Sequence, residues 1–507
     1  MRRQKQSVKK QDRYENFVRN NGLSELRKIR SILFDQLIKP IEYPAGALHS
    51  FKLYHLQREI VNVFDSSFAY AFMCFKENKS ARLPIPRIWL KICQAEGFLI
   101  EAKRSYFKIT KRTIQQLVRS TYFTCMVFLS KYRQPTNRVN SQRESISIVI
   151  GHGKLKTQIA DYESFNFANW LAYKFEESKV LFLTEGECIA LISNNRQSRP
   201  NGALLLRFLR NLTLILSKRI LLPFEVLKNL HQIAFYSSIE GLDTHSRNQR
   251  IFFTESNSPI QPPWSRYLED LGVSINFINF SNSSQFRTTK EKAIISSEFR
   301  SITWNRVFAT TERQKKLFVD SSIVPTPSIE VVGVPWLTDL KSANFGDIQK
   351  ELEKCLAVFD YGGRYGHFGQ SSIMDLGFGD QHSQVSFLDD LIEVCEALGF
   401  SIIHKPKRST SSKSFVKNEY LQERYSESPT YIQVPAELAP YRVIQNCLAS
   451  ISMPPTSTAL IAKSLGKPSI YYDHLGFVQD NDPALEEVKL IKGKVNLSEW
   501  LKPFMDK

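Results

Sequence analysis

Cysteine is scarce in this 507-residue chain and is nowhere clustered. Disulfide frameworks and structural zinc sites need paired cysteines, or cysteines grouped with histidines. No CxxC pair occurs here, and no histidine cluster stands at metal-ligand spacing. The pattern predicts a chain that works in a reducing compartment and holds neither disulfides nor a metal. The seven cysteines are Cys74, Cys93, Cys125, Cys188, Cys355, Cys395 and Cys447.

Long uncharged apolar runs are also missing. A membrane-spanning helix needs about 20 consecutive apolar residues. The most apolar segment, residues 202–224, is interrupted by four cations: Arg207, Arg210, Lys218 and Arg219. We interpret it as amphipathic helix in a globular core. The basic start of the chain leads into no apolar stretch of the secretory type, so we expect a cytoplasmic protein.

Positive charge exceeds negative charge, with 68 Lys and Arg against 50 Asp and Glu and a net charge of +18. This balance predicts an anionic partner: nucleic acid, lipid headgroups or a phosphorylated substrate. No RNA-recognition, KH or zinc-finger signature is present, which makes nucleic acid the minor alternative. The first ten residues concentrate five cations that favour peripheral contact with an anionic membrane: Arg2, Arg3, Lys5, Lys9 and Lys10.

The length of the chain predicts two to four domains. Apolar residues at helical spacing over residues 14–37 and 110–132 predict a basic, mainly helical N-terminal region. A polar stretch at 133–145 is the best linker. The boundaries that we expect are 1–140 for the helical region, 141–335 for a first domain and 336–507 for a second.

Short apolar runs alternate with helical stretches after residue 145, which predicts parallel sheets with helices on both faces. The runs lack clean alternation, as expected of strands covered on both faces. The fold class is therefore α/β, with two Rossmann-like domains that face a cleft. The strands predicted in the first domain are 145–151, 179–184, 232–237, 250–255, 273–280, 306–311 and 329–334.

The second domain is predicted to begin with a strand at Cys355, followed by a helix over 386–399. Ser386 and Asp389 form a capping pair at the start of this helix, and Gly399 ends it. The predicted strand at 400–407 comes next. A strand, a hinge, a short helix and another strand are then predicted within 450–473, because apolar runs flank a hydroxyl-rich turn.

The hinge is the sequence "PPTST", residues 454–458. One Ser or Thr suffices to cap a helix, and such a cap contributes about 1 kcal/mol. Thr456, Ser457 and Thr458 supply three hydroxyls beside a helix N-terminus, which is a suitable place for a phosphate group. The alternative is a cap with more hydroxyls than it needs.

A basic segment ends the preceding strand of the same predicted sheet. His404, Lys405, Lys407 and Arg408 lie within "HKPKR", and Pro406 interrupts ladder hydrogen bonding. We therefore expect these basic groups in a loop above the sheet. Because parallel strands end at the same edge, this loop and the hinge are predicted to converge on a nucleotide's phosphates. The alternative is a solvated basic loop.

A glycine-rich stretch, residues 359–370, opens the second domain. Its spacing is not that of a dinucleotide fingerprint. A loop that closes over a ligand and a plain connection both remain open.

The "HKP" turn, the "TST" hinge about 50 residues later and the strand "GKPSIYYD" resemble the C-terminal domain of bacterial GT-B glycosyltransferases of surface-polysaccharide assembly. The likeness is to the sialyltransferase, Kdo-transferase and CDP-glycerol-transferase groups, in which an HP motif and paired Ser/Thr residues hold a cytidine nucleotide. In this chain Lys405 separates His from Pro. The matching residues are His404 with Pro406, and Thr456, Ser457 and Thr458.

An inverting transferase needs a general base in the cleft to take a proton from the acceptor hydroxyl. Glu255 ends an apolar strand and precedes a proline-rich run whose Trp264 is suited to stacking on a sugar. Glu185 matches half of the acidic motif that the resembled groups carry. His152 lies between two glycines. We predict the base among Glu255, Glu185 and His152, each with a structural role as its alternative.

The resemblance implies a metal-independent GT-B glycosyltransferase without a cofactor. Its partners would be a nucleotide-sugar donor, such as a CMP-linked Kdo or nonulosonate, and a glycan or glycolipid acceptor of capsule or lipopolysaccharide. Two alternatives stay open: a basic protein associated with nucleic acid, and a nucleotide-sugar epimerase of the same architecture.

Overall fold

The structure is a computed structural model of the 507-residue chain. It describes residues 22–41, 46, 48–62, 87–98, 117–118, 120–122, 124–125, 146–151, 162–177, 179–194, 201–218, 220–221, 223–240, 249–254, 260–279, 302–322, 324, 327–335, 354–362, 378, 381–407, 418–454, 456–482, 485 and 488–505. The helices before the first sheet whose bounds the structure describes are α1 (Gly22–Leu37), α2 (His49–Asn62) and α3 (Arg87–Ala95). In the described part of the chain, no helix is long and apolar enough to cross a membrane.

The first sheet has six parallel strands in the order β2-β1-β3-β4-β5-β6. Most residues of its central strands are buried, as expected of strands that helices cover on both faces. Six of the seven predicted strands are confirmed. The strands are β1 (Ile146–Gly151), β2 (Lys179–Leu183), β3 (Gln249–Thr254), β4 (Ser274–Ile278), β5 (Arg306–Ala309) and β6 (Ser328–Val331).

Among the described residues of this lobe, six helices lie between these strands. They are α4 (Tyr162–Phe175), α5 (Glu185–Asn194), α6 (Asn201–Ser217), α7 (Pro223–Ile239), α8 (Pro263–Asp270) and α9 (Glu312–Ser321).

The strand predicted at 232–237 was wrong, because these residues form the last part of α7. Ile233, Ala234, Phe235 and Tyr236 are all buried in the core of the first sheet. A helix segment that is apolar on every side shows no helical period, so a short apolar run there cannot be told from a buried strand.

The second sheet also has six parallel strands, in the order β12-β11-β10-β7-β8-β9. The predicted strands are confirmed, and the two outermost strands, of three residues each, went unpredicted. The predicted α/β class with two Rossmann-like domains is thus confirmed. The strands are β7 (Cys355–Phe359), β8 (Ser401–Lys405), β9 (Tyr431–Gln433), β10 (Ala449–Ser452), β11 (Ser469–Tyr472) and β12 (Lys489–Ile491).

The helices of the second sheet are α10 (Gln381–Leu398), α11 (Asn418–Arg424), α12 (Pro440–Gln445), α13 (Thr458–Ser464) and α14 (Lys494–Leu501). The predicted capping pair was wrong, because α10 begins five residues before Ser386. Asp389 instead accepts hydrogen bonds from Arg424 and Tyr425. Gly399 does end the helix, with a positive φ of 73°.

Buried side chains join parts of the chain that are distant in sequence. Phe51 of α2 lies in the core of the first sheet. A further apolar cluster contains Phe252 and Phe308 of the first sheet together with Phe359 and Tyr441 of the second. The two lobes therefore pack against each other through apolar contacts. The boundaries predicted at 140 and 335 stay predictions.

Candidate functional site

Three neighbouring strands of the second sheet end level with one another. β7 lies between β8 and β10, and its last residue, Phe359, pairs with Lys405 on one side and Ser452 on the other. Neighbouring strands lie about 4.8 Å apart. The segment after β8 and the hinge after β10 therefore both leave the C-terminal end of the sheet, on either side of the segment after β7.

His404 is buried in β8 and is held from both ring nitrogens. Its Nε2 lies 3.0 Å from Asp360 Oδ2, and its Nδ1 lies 2.7 Å from the hydroxyl of Tyr431. The side-chain amide of Gln384 donates to the same Asp360 oxygen. Because a carboxylate only accepts hydrogen bonds, Nε2 carries the hydrogen of its contact with Asp360. The loop position predicted for His404 was wrong.

Asp360 is an ionised group inside the protein. Burial by itself raises the pKa of this carboxyl, but the charge and hydrogen bond of His404 act in the opposite direction. Hydrogen bonds from Gln384 and from the backbone N–H of Lys407 add to that effect. The net pKa of Asp360 lies below its ordinary value, so the carboxylate holds the imidazole in a fixed orientation.

The two lysines of the basic segment differ in position. Lys405 belongs to β8 and is buried, with Nζ 3.2 Å from the carbonyl oxygen of Pro406, so its predicted place in a loop was wrong. Lys407 lies beyond the strand, and its Nζ stands 3.7 Å above the ring of Tyr361. Arg408 lies outside the described residues.

The hinge hydroxyls belong to a chain of hydrogen bonds in which each hydroxyl donates to the next group. Thr456 donates to the carbonyl oxygen of Met453 (2.8 Å), and Thr458 donates to Thr456 (3.1 Å). Because the hydrogen of Thr458 is used in this way, Ser452, 2.8 Å away, donates to Thr458. Two of the three hinge hydroxyls thus hold the hinge against β10.

Ser457 is the third hydroxyl of the hinge. It is the residue before α13, is half-buried and makes no capping hydrogen bond with its side chain. Its backbone is in the helical region rather than the extended conformation typical of a capping residue. The side chain of Ser457 therefore does not cap α13, and the choice between a phosphate site and a cap with more hydroxyls than it needs stays a prediction.

Glu185, one of the three predicted bases, is bound to the protein. Its Oε1 accepts from the indole N–H of Trp264 (2.5 Å) and from the side-chain amide of Gln232 (2.9 Å). Trp264 is fully buried, so its predicted role as a sugar-stacking wall was wrong. The neighbouring Thr184 and Glu187 form a capping box at the start of α5.

The other predicted bases, Glu255 and His152, lie outside the described residues. The residues that precede them, Thr254 of β3 and Gly151 of β1, pair with each other at the ends of adjacent strands. Among the described residues, no group of three or more His, Cys, Asp and Glu side chains lies together so as to hold a metal. Metal independence stays a prediction.

A protein family described as "Polysaccharide biosynthesis PFTS motif protein" matches residues 215–501, which is more than half of the chain. The chain belongs to this family. Within the match, the sequence Pro454, Pro455, Thr456, Ser457 agrees with the four letters of the named motif at three positions.

Several solved structures are similar to this PFTS-motif protein at low sequence identity. The Methanocaldococcus jannaschii UDP-GlcNAc 2-epimerase with UDP-GlcNAc and UDP is 12% identical, with a TM-score of 0.38 over 71% of this chain and 93% of that one. The wall teichoic acid polymerase TagF with CDPG is 10% identical, with a TM-score of 0.40 over 78% of this chain and 87% of that one. The E. coli heptosyltransferase WaaC with ADP is 11% identical, with a TM-score of 0.31 over 71% of this chain and 99% of that one. No curated protein matches the chain.

Proposed function

We propose that this PFTS-motif protein is a glycosyltransferase that moves a sugar from a nucleotide donor to a surface-glycan acceptor. One observation carries the proposal: the hinge at 454–458 and the His404 segment leave the same end of the second sheet, on either side of β7. Open parallel sheets bind ligands at the carboxyl ends of their strands. The family's place in polysaccharide biosynthesis supplies the class of acceptor.

In this proposal the second sheet holds the phosphates of the donor, which leave with the nucleotide. Ser457 donates its hydroxyl to a phosphate oxygen, and Lys407 supplies positive charge. The contact between His404 and the Asp360 carboxylate holds the ends of β8 and β7 together at this place. Stabilisation of the leaving phosphates by these groups needs no metal. The finer form of the proposal is a CMP-linked donor that carries Kdo or a related 2-keto acid sugar.

The first sheet supplies the general base. Glu185 has two hydrogen-bond donors on one carboxylate oxygen. Glu255 and His152 follow paired strand ends in the sequence, which makes them the preferred candidates. Either residue would take the proton of the acceptor hydroxyl as the sugar is transferred. The acceptor is a glycan or glycolipid, and the cationic N-terminal residues favour contact with anionic lipid.

Isothermal titration with CMP, CDP, UDP and GDP tests the donor site. Ser457→Ala should weaken nucleotide binding about 10- to 100-fold, since a hydrogen bond to a charged group contributes about 1.5–3 kcal/mol. Ser464→Ala is the matched control, because this hydroxyl lies at the other end of α13 and bonds to the carbonyl oxygen of Leu460. Lys407→Ala should also weaken binding.

The proposal fails if none of the four nucleotides binds, or if Ser457→Ala and Lys407→Ala both bind as the unmodified chain does. Turnover of the donor without an acceptor would indicate an epimerase.

A further inference from the structure

Two cysteines of the second lobe lie in contact with each other. Cys355 is the first residue of β7, and Cys447 lies in the short connection between α12 and β10. Their sulfur atoms are 3.5 Å apart, although the two residues are 92 positions apart in the sequence. Both side chains are buried in the apolar cluster that the two lobes share. The pair stands at the N-terminal end of the second sheet, opposite to the candidate site.

The backbone holds the two cysteines at a separation that suits a disulfide. The N–H of Leu448 donates to the carbonyl oxygen of Cys355 at 2.9 Å, so the two main chains lie at the spacing of adjacent strands. That spacing is about 4.8 Å, and disulfides join residues whose Cα atoms are about 4.4–6.8 Å apart. Bonded sulfurs are about 2.0 Å apart, so these two have to approach by about 1.5 Å. Side-chain rotation supplies that movement without a shift of the strands.

The surroundings distinguish the two thiols. The Cys355 thiol donates to the carbonyl oxygen of Asn446 at 3.2 Å, and the ammonium of Lys467 donates to the carbonyl oxygen of Cys447 at 2.8 Å. The hydrogen bond with Cys447 and the charge of Lys467 lower the pKa of Cys355, although burial acts against them. The same hydrogen bond and burial raise the pKa of Cys447. Because the thiolate is the reactive form, Cys355 is the first of the two to react with an oxidant.

The pair lies one residue below the protein surface. Lys354, which precedes Cys355, is exposed, and Asn446 and Leu448 on either side of Cys447 are half-buried. Residues 446–448 belong to neither a helix nor a strand. Short connections of this kind open locally while the sheet stays folded. An oxidant as small as hydrogen peroxide can therefore reach the thiols in the folded chain.

We propose that Cys355 and Cys447 are a redox-sensitive pair that a peroxide converts to a reversible disulfide. The Cys355 sulfur attacks one oxygen of hydrogen peroxide, the O–O bond breaks, one water leaves, and Cys355 becomes a sulfenic acid. The Cys447 sulfur then attacks the Cys355 sulfur. The S–S bond forms, the S–O bond breaks, and the hydroxyl leaves as water with the proton of the Cys447 thiol. The two thiols thus lose two electrons and two protons, and one peroxide becomes two waters.

The disulfide joins the start of β7 to the start of β10. The loop that it closes has about 90 residues and includes α10, β8 and β9. A cross-link over a loop of this length removes much of the conformational freedom of the unfolded chain. Oxidation should therefore stabilise the second lobe, and a thiol reductant should reverse the effect. The proposal is independent of glycosyl transfer, because its chemistry involves no nucleotide.

Peptide mapping of the full chain tests the pair. The reduced chain is treated with a small excess of hydrogen peroxide, its remaining thiols are alkylated, and it is digested without reductant for mass spectrometry. The expected product is a cross-linked peptide pair that contains Cys355 and Cys447 and separates again on treatment with dithiothreitol. Cys395→Ala is the matched control, because Cys395 is a buried cysteine on α10 of the same lobe. This variant should form the same link.

Single variants test the order of the two steps. In Cys447→Ala the sulfenic acid of Cys355 has no thiol to attack it, so dimedone, which labels sulfenic acids, should modify Cys355. In Cys355→Ala, dimedone should modify Cys447 at least tenfold less, because the pKa of Cys447 is raised.

Urea unfolding measures the effect of the cross-link. Peroxide treatment should raise the unfolding midpoint of the unmodified chain and of Cys395→Ala by about 1 M, and reduction should restore the original value. The midpoint of Cys355→Ala should be the same before and after peroxide. Each variant is compared with itself, so any loss of stability from the substitution does not affect the result.

The proposal is overturned if no cross-linked peptide with Cys355 and Cys447 forms, or if it forms only when the chain is unfolded in urea. A link that leaves the unfolding midpoint of the unmodified chain unchanged would also overturn it. Oxidation products confined to the exposed Cys125 would assign both buried thiols to packing alone.

Discussion

At the scale of single residues, burial decides the charge of His474. Its Nε2 lies 3.0 Å from the hydroxyl of Ser383, and the rings of Phe378 and Phe387 stand 5.7 and 5.8 Å away. Its Nδ1 is buried without a hydrogen-bond partner among the described residues. Burial, helped by the charge of nearby His382, lowers the pKa of His474 to about 3. The folded chain therefore keeps this imidazole neutral.

The free energy of unfolding should depend on pH because His474 is buried in the folded chain and exposed in the unfolded chain. The unfolded chain takes up a proton at this residue near pH 6.5, whereas the folded chain does so only near the lowered value of about 3. The free energy of unfolding should fall by about 1.4 kcal/mol for each pH unit between 6.5 and 3 from this group. His474→Gln should remove that share of the slope in urea unfolding from pH 7 to pH 4.5.

The control for this measurement is His49→Gln, because His49 is exposed at the start of α2. It should leave the slope unchanged. Identical slopes for the His474→Gln variant and the unmodified chain would contradict the prediction.

At the scale of secondary-structure elements, two neighbouring glutamates fix helix α5 in different ways. Glu187 closes the capping box with Thr184, with 2.6 Å from its carboxylate to the backbone nitrogen of Thr184. Glu185 joins α5 to α7 and α8 through Gln232 and Trp264. Of these two glutamates, one thus caps the start of α5 and the other connects α5 to α7 and α8.

Glu185→Ala should lower the free energy of unfolding by about 1–3 kcal/mol, because it leaves the buried indole N–H of Trp264 without an acceptor. Glu185→Gln keeps an acceptor oxygen and should cost less than half as much. Glu187→Ala should cost about 1 kcal/mol through loss of the cap. Circular dichroism during urea unfolding measures all three.

A Glu185→Ala variant of unchanged stability that has lost transferase activity would contradict this role. It would return Glu185 to the catalytic candidates.

How far the sequence predicts this fold depends on the kind of element. Buried parallel strands such as β1 and β7 consist mostly of apolar residues, so their runs are visible in the sequence. The end of α7, at 232–237, is apolar in the same way, and the sequence could not distinguish it from a strand. β9 and β12 lie at sheet edges, are only three residues long and carry too little pattern.

The sequence motifs predicted which segments form the candidate site, but not which side chains within it contact each other. The positions of the hinge and the basic segment at the ends of strands follow from apolar patterning. Asp360 lay in a glycine-rich stretch that gave no sign of its partner, because its contact with His404 depends on the register of β7 and β8. Charged residues are rarely buried unless paired, so His404 and Lys405 were expected in a loop above the sheet. The roles of the site residues stay predictions.

At the scale of the whole molecule, an ion pair adds to the apolar contact between the lobes. Arg313 of α9 lies 3.4 Å from Asp482, which follows β11, and the side chain of Asp482 is fully buried. A buried carboxylate that loses its cation is destabilising, because the charge remains without its solvent or its partner.

Arg313→Leu should therefore lower the free energy of unfolding by about 2–3 kcal/mol, somewhat less than for a fully buried pair because Arg313 is partly exposed. Lys494→Leu is the control, since the exposed pair between Lys494 and Glu393 lies within one lobe and should contribute nothing measurable. Urea unfolding of both variants decides the matter, and equal stability of the two would contradict the prediction.

The apolar cluster shared by Phe252, Phe308, Phe359 and Tyr441 bears on how such proteins can be recombined. A chimera that joins the first half of this chain to the second half of a relative would need aromatic side chains that pack together where the two lobes meet. Swapping whole halves between relatives is therefore constrained by this packing, and a graft limited to the strand-end segments of the second sheet would leave the apolar cluster unchanged.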